Sequence, residues 1–318
     1  MAVVGNLPLL VVLLGPTASG KTALSLAIAK RFDGEVVSCD SVAVYRDFEI
    51  GTAKPSAAER ASVPNHCIDI VSPEREYSAG DYQRDGRAAI AGIAARGRLP
   101  VVTGGTGLYL RALLEGLFEG PRRSEPLRAR LRRSAARHGA GWLARVLERI
   151  DPAAAERIHA NDKPKLIRAI EVSLEARRPI TEAWTAGTEP LTGYRILRIG
   201  LAPERAALYQ RIDARAAAMF ERGLVSETER LMRKYGDERR VLYPRILDAL
   251  GYRQARQLLA GELTEAQAID AAQRGHRNYA KRQLTWFRRE PEVRWLAGFG
   301  DDAAIQQAAM DAVASCRG

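Results

Sequence analysis

LLGPTASGKTAL, residues Leu13–Leu24, decides the fold. Gly15, Gly20, Lys21 and Thr22 satisfy the pattern G-x-x-x-x-G-K-[ST] without a mismatch, and the pattern has a physical basis. Glycines let the backbone wrap an anion with several N–H groups pointing inward, and the helix that follows adds the positive end of its dipole. Lys21 supplies a mobile positive charge, and the Thr22 hydroxyl suits Mg²⁺. The motif has meaning only between a strand and a helix, and that context is present. Leu9–Leu14 is apolar throughout, as a strand covered by helices on both faces must be, and Thr22–Arg31 reads as a helix. The loop predicts a phosphate ligand without saying whose phosphate it is.

Working outward, EVVSCD (Glu35–Asp40) reads as a second strand ending on an acid, and HCIDIV (His66–Val71) as a third. Ser78–Arg96 has a polar start, a helical pattern and Gly97 as its stop signal. LPVVTGGTG (Leu99–Gly107) is a strand running into a glycine turn, with another helix from near Leu108. This alternation predicts an α/β fold, a parallel sheet whose ligands bind beyond the carboxyl ends of its strands. The phosphate loop, Asp40 and Thr103–Gly107 all fall at such ends, so they should share one crevice. After Gly120 the texture becomes Ala- and Arg-rich and helical, until YRILRIGLAP (Tyr194–Pro203) restores a strand. The predicted division is a first core segment, 1–120, an all-helical insertion, 121–193, and a core continuation, 194–318. The last part carries basic helices ending near Arg289 and a tail whose order the pattern leaves open.

Composition narrows the function. The net charge of +11 on 318 residues favours a polyanionic partner, although an Arg- and Ala-rich surface alone would give the same figure. Cys39, Cys67 and Cys316 form no CxxC and no disulfide framework, which fits a reducing cytosol and argues against zinc. The apolar start of the chain has no preceding Lys or Arg and runs straight into the phosphate loop, so it reads as a buried strand rather than a signal peptide. No later run has the length of a membrane span.

Asp40 has three readings from position alone: a turn or cap acceptor, a Mg²⁺ ligand, or a general base toward an incoming nucleophile. Arg274, Arg277, Lys281, Arg282, Arg288 and Arg289 crowd one segment with no acid among them, as expected where a polyanion neutralises them. Trp286 and Phe287, interleaved there, read as core anchors in preference to base-stacking platforms.

DSVAVYRDFEIGTAKP (Asp40–Pro55), GGTGLYLRALLEG (Gly104–Gly116), GYR (Gly251–Arg253) and AKRQLTWFR (Ala280–Arg288), together with GPTASGKT, resemble the bacterial tRNA dimethylallyltransferases, or tRNA isopentenyltransferases. The resemblance runs from about Leu9 to Trp295. It implies a P-loop kinase-like parallel sheet core and transfer of a dimethylallyl group from dimethylallyl diphosphate to N6 of adenine 37, beside the tRNA anticodon, by a monomeric cytoplasmic enzyme that uses Mg²⁺. On this reading Gly15, Pro16, Thr17, Ala18, Ser19, Gly20, Lys21 and Thr22 hold the donor diphosphate, and Thr22 also holds the metal. Asp40 accepts the N6 proton, Thr106 lies beside the target adenine, and Arg215 helps bind the pyrophosphate.

The resemblance also implies a tRNA surface. Ser41, Val42 and Ala43 join Asp40 and Thr106 near the base, and Arg128 reaches in from the insertion. Pro164, Lys165, Leu166, Ile167 and Arg168 follow in NDKPKLIRAIEV (Asn161–Val172). Asp248, Ala249, Leu250, Gly251, Tyr252 and Arg253 form another segment, and Lys281, Arg282 and Arg288 complete the set. The chain departs from the family pattern in three places. Ala43 stands where many relatives have a glutamine able to bond a base edge, Lys163-Pro164-Lys165 replaces the usual proline-first order, and Gln254 replaces a frequent glutamate. The adenine is expected to leave its stack and enter the crevice between the core and the insertion. A prenyltransferase acting on free AMP, ADP or ATP, a nucleotide kinase and an RNA-binding ATPase are the competing readings. The basic surface disfavours the first, and the strand Leu99–Val102, which ends in Thr103 rather than an acid, disfavours the second.

Overall fold

In the computed structural model, which describes residues 7–236 and 245–317, the sheet is built from six strands. These are β1 (Leu9–Leu14), β2 (Gly34–Cys39), β3 (Asn65–His66), β4 (Leu99–Gly104), β5 (Arg195–Leu201) and β6 (Val293–Leu296). All described pairings are parallel, in the order β3-β2-β4-β1-β5-β6. β1 is central, and its alternation explains the unbroken apolar run. Leu9, Val11 and Leu13 face a core shared with Leu24, Ile28 and Val313, whereas Leu10, Val12 and Leu14 face Tyr82, Ile90 and Leu113. Burying each such side chain contributes about 1.5–3 kcal/mol, so a polar residue on either face would be costly.

The helix Lys21–Arg31 follows the phosphate loop, as the glycine pattern requires. The helix Ala79–Ala95 begins at Ser78 through a reciprocal cap: Asp81 N–H donates to Ser78 Oγ at 3.1 Å, and Ser78 N–H donates to the Asp81 carboxylate at 3.0 Å. One expectation about strands needs correction. The third strand is only Asn65–His66, because Cys67 and Asp69 take left-handed conformations (φ 60° and 56°) that turn the chain out of the sheet. Asp69 is held there by Lys54 Nζ at 2.5 Å and Arg60 Nη1 at 2.6 Å. The tail is ordered: β6 adds to β5, and the helix Ala303–Arg317 packs Ala309, Ala312 and Val313 into the first core.

The chain divides into two compact units, Met1–Leu114 with Leu191–Gly318, and Glu115–Pro190. The second is a few residues displaced from the expected 121–193. Phe118 packs into its core, whereas Leu191 donates its N–H to Leu114 O at 2.8 Å and packs with Tyr194 on the sheet side. Five helices enclose Leu131, Leu147, Leu166, Ile170 and Ile180. The helix Lys163–Ala176 starts at Asp162, whose carboxylate accepts Lys165 N–H at 3.2 Å, with Pro164 in the first turn. That explains the altered Lys163-Pro164 order: proline is tolerated there because first-turn N–H groups have no helical acceptor.

At the centre of this unit lies Glu171, fully buried. Its carboxylate accepts from Arg128 Nε and Nη2 (both 2.8 Å), Arg168 Nη1 (2.7 Å) and Ser124 N–H (2.7 Å). These partners hold its carboxyl below the usual range against the opposing effect of burial. Glu171→Ala removes the acceptor that two guanidiniums share and is expected to cost about 3 kcal/mol, read by urea denaturation. A loss near zero would show that the arginines are satisfied by solvent.

Candidate active site

The loop between β1 and the helix Lys21–Arg31 is shaped by left-handed residues, Ala18 (φ 63°) and Gly20 (φ 84°). Gly20 also has no room for a side chain: a Cβ there would stand 2.7 Å from Asp301 Oδ1 and from Gly300 N. Lys21 folds back and donates to Pro16 O at 2.7 Å. Desolvation and repulsion from Arg215 pull its ammonium down to about 7, against attraction from Asp40. Arg215, from the helix Arg205–Glu221, donates through Nη2 to Thr17 Oγ1. Burial disfavours its charge too, while Asp40 supports it.

Asp40 follows β2 directly. Its Oδ1 accepts Val42 N–H at 2.8 Å and Ala43 N–H at 3.3 Å, so the carboxylate is oriented by its own turn. The neighbouring turn after β4 is tied to it. Thr106 N–H donates to Cys39 O at 3.2 Å, and Ser41 N–H donates to Thr106 Oγ1 at 3.0 Å. Gly104 has to be glycine, since a Cβ would lie 2.1 Å from Cys39 O.

These groups open onto one crevice of about 850 Å³, lined wholly by residues of the first unit. Thr17–Thr22, Asp40–Ala43, Gly104, Gly105, Arg215, Asp248–Leu250, Arg253 and Arg282 all line it. Gly15 and Pro16 are buried, and Thr106, half-buried, is bonded to the lining residue Ser41. Several residues expected at the RNA surface also have partners within the chain. Tyr252, Leu166 and Ile167 are 0%, 1% and 6% exposed and pack into cores. Gly251 is buried beside Tyr252. Arg128 and Arg168 are engaged by Glu171. Pro164, Lys165, Lys281, Arg282 and Arg288 are exposed. Within the basic helix Glu265–Phe287, Arg274 pairs with Asp270 and Arg277 with Asp213, so part of that charge is internally balanced. Phe287 is buried, and Trp286 covers Gly107 and carries Arg111 at 4.9 Å over its ring, so both are anchors.

Sequence reasoning missed four residues of the wall and its supports. Lys54 lines the crevice and donates to Tyr45 O at 2.6 Å and to Asp69. Glu227, buried, accepts Ile50 N–H at 3.1 Å and the Tyr252 hydroxyl at 2.5 Å, clamping the segment that leads to Lys54. Gln283 and Tyr279 reach the loops from the basic helix: Gln283 Oε1 accepts Thr17 N–H at 2.7 Å, and Tyr279 Oη donates to Gly105 O at 3.1 Å.

Two family models match the chain, IPP transferase over residues 43–290 and isopentenyl transferase over residues 8–69. The chain belongs to the IPP transferase family. It is 63% identical over 306 residues to a tRNA dimethylallyltransferase of Koribacter versatilis (strain Ellin345), a match covering 96% of this chain and 98% of that one. It is 52% identical over 310 residues to a tRNA dimethylallyltransferase of Solibacter usitatus (strain Ellin6076), covering 97% and 99%. Among solved structures, the tRNA isopentenylpyrophosphate transferase of Bacillus halodurans shares 38% identity at a TM-score of 0.70, covering 97% of this chain and 96% of that one. A eukaryotic dimethylallyltransferase acting on tRNA shares 26% at 0.81, covering 98% and 80%. Like the P-loop enzymes this IPP transferase resembles, it places its ligand crevice where strand order reverses around β1. Among the described residues no helix is long and apolar enough to cross a membrane.

Proposed function

We propose that this IPP transferase moves a dimethylallyl group from dimethylallyl diphosphate to N6 of adenine 37 of tRNA, forming N6-dimethylallyladenosine and releasing diphosphate. The observation that carries this is the meeting of a phosphate loop, two cations and one oriented carboxylate in a single crevice. Anion-holding and proton-accepting groups stand together there, as a substitution with an anionic leaving group needs.

In the proposed reaction the C1–O bond breaks, and its electron pair leaves with the diphosphate. The N6 lone pair forms the new bond to C1, and the N6 proton passes to the Asp40 carboxylate. Lys21, Arg215 and the loop N–H groups stabilise the charge that grows on the departing group. Asp40 is suited to its part because Val42 and Ala43 fix one of its oxygens. The Thr22 hydroxyl, exposed at the helix N-terminus, and the Asp40 carboxylate are hard oxygen donors on the same wall. Among the described residues no three His, Cys, Asp or Glu side chains cluster to hold a metal. That donor set fits Mg²⁺, which binds through one or two protein oxygens together with substrate phosphates. Thr22 would hold the ion, and when bound it supplies neutralising charge to the diphosphate.

For the RNA we assign the exposed cations Lys165, Arg253, Lys281, Arg282 and Arg288 to phosphate contacts, with the adenine unstacked to reach Asp40. We place the reaction in the cytosol, with the chain acting as a monomer. The test is nucleoside mass spectrometry of tRNA incubated with purified protein, dimethylallyl diphosphate and Mg²⁺. The expected product is prenylated adenosine, absent when AMP replaces tRNA. Unmodified tRNA alongside ATP-dependent phosphoryl transfer would overturn the reading.

A further inference from the structure

Gln283 sits on the basic helix, 4% exposed, with both ends of its amide engaged. Oε1 accepts Thr17 N–H at 2.7 Å, and Nε2 donates to Gly105 O at 2.9 Å. The two partners fix the amide's orientation, since the flipped form would set N–H against N–H and carbonyl against carbonyl. Thr17 is the loop residue that Arg215 grips, and Gly105 directly precedes Thr106, which is bonded to Ser41 next to Asp40. One side chain therefore spans the donor loop and the turn beside the base. The fit is close: a Cβ on Gly105 would stand 2.1 Å from Gln283 Nε2.

We propose that Gln283 is a positioning residue that sets the spacing between the donor's reacting carbon and the acceptor nitrogen by tying Thr17 to Gly105. This rests on the function proposed above. The tie does not supply binding, because the diphosphate is held by Lys21, Arg215 and loop N–H groups, and the RNA by exposed cations. Its loss should therefore appear in the rate of the bound complex. A misplacement of about 1 Å at reacting centres is enough to cost on the order of 10²-fold.

The test uses the full chain and two variants. Gln283→Met keeps the length of the side chain and removes both bonds. Gly105→Ala acts on the same contact from the other side, without a left-handed backbone to strain. Single-turnover rates at saturating tRNA and dimethylallyl diphosphate are expected to fall about 10²-fold in each. Calorimetric affinity for inorganic pyrophosphate and filter-binding affinity for tRNA should stay within about threefold, and the double variant should be no slower than the worse single one. A purely structural role would lower the melting temperature and leave the saturated rate alone. A saturated rate within about threefold of wild type in both variants overturns the proposal, as do effects that multiply in the double variant. If the wild-type protein makes no prenylated nucleoside, it is the function itself that fails.

Discussion

Asp40→Asn is expected to lower the single-turnover rate of tRNA prenylation by about 10²–10⁴-fold, the range a positioned general base contributes. The substitution isolates the chemistry. Asparagine keeps an oxygen that can accept the Val42 and Ala43 N–H groups, so the turn that orients residue 40 survives. What is lost is a group able to take the N6 proton. Affinity for tRNA should stay within a few-fold, because the carboxylate brings no positive charge to the RNA. Asp40→Ala removes base and turn acceptor together, so it should be at least as slow and should also loosen Ser41 and its bond to Thr106. Saturating both substrates keeps binding out of the measured rate. A saturated Asp40→Asn rate within about tenfold of wild type would show that N6 loses its proton to solvent or to the departing diphosphate.

The phosphate-loop wall of the crevice is legible in the sequence because its signals are local. The phosphate loop is one short run whose glycines are demanded by backbone geometry, and β1 announces itself as an apolar stretch buried on both faces. The helix beginning after Ser78 is legible because its cap lies three residues away, at Asp81. The remaining walls were reached through the family resemblance of whole segments, and their supports carry no local mark. Gln283 meets Thr17 across 266 residues, and Glu227 meets Ile50 across 177. Each is one polar residue on an amphipathic helix until the fold brings its partner. The third strand failed for a related reason. HCIDIV has a strand's composition, yet Lys54 and Arg60 hold Asp69 in a left-handed turn that local propensity does not encode. β6 is four residues long and exists because β5 offers a free edge for it, so the pattern of VRWL alone could not fix it. Arg128, Arg168 and Tyr252 show the same. Nothing in their local sequence announces that two buried carboxylates, Glu171 and Glu227, bond them.

Lys21→Met is expected to reduce kcat/KM for dimethylallyl diphosphate by about 10²–10³-fold, the loss typical of removing one preorganised group from a developing anion. The wild-type protein should carry a pH signature that the variant lacks. In the free enzyme the Lys21 ammonium titrates near 7, because burial and Arg215 disfavour its charge more than Asp40 supports it. A diphosphate brings several negative charges to within contact of that nitrogen and raises its pKa, so the ligand binds the protonated form in preference. The sign follows from linkage: above pH 7 the free lysine has lost a proton that the complex regains, so affinity falls as pH rises. The slope approaches about tenfold per pH unit between 7 and the pKa of the complex, and it vanishes below 7, where the lysine is already charged. Pyrophosphate titrations at pH 8, run by calorimetry in buffers of different ionisation heat, should show uptake of close to one proton. Lys21→Met should take up little or none. Asp40→Asn removes the one charge that holds the lysine's pKa up, so its decline in affinity should begin below pH 7. Equal proton uptake by wild type and Lys21→Met would place the titrating group elsewhere, and a pH-independent wild-type affinity from 6 to 9 would mean that Lys21 keeps its charge in the free enzyme.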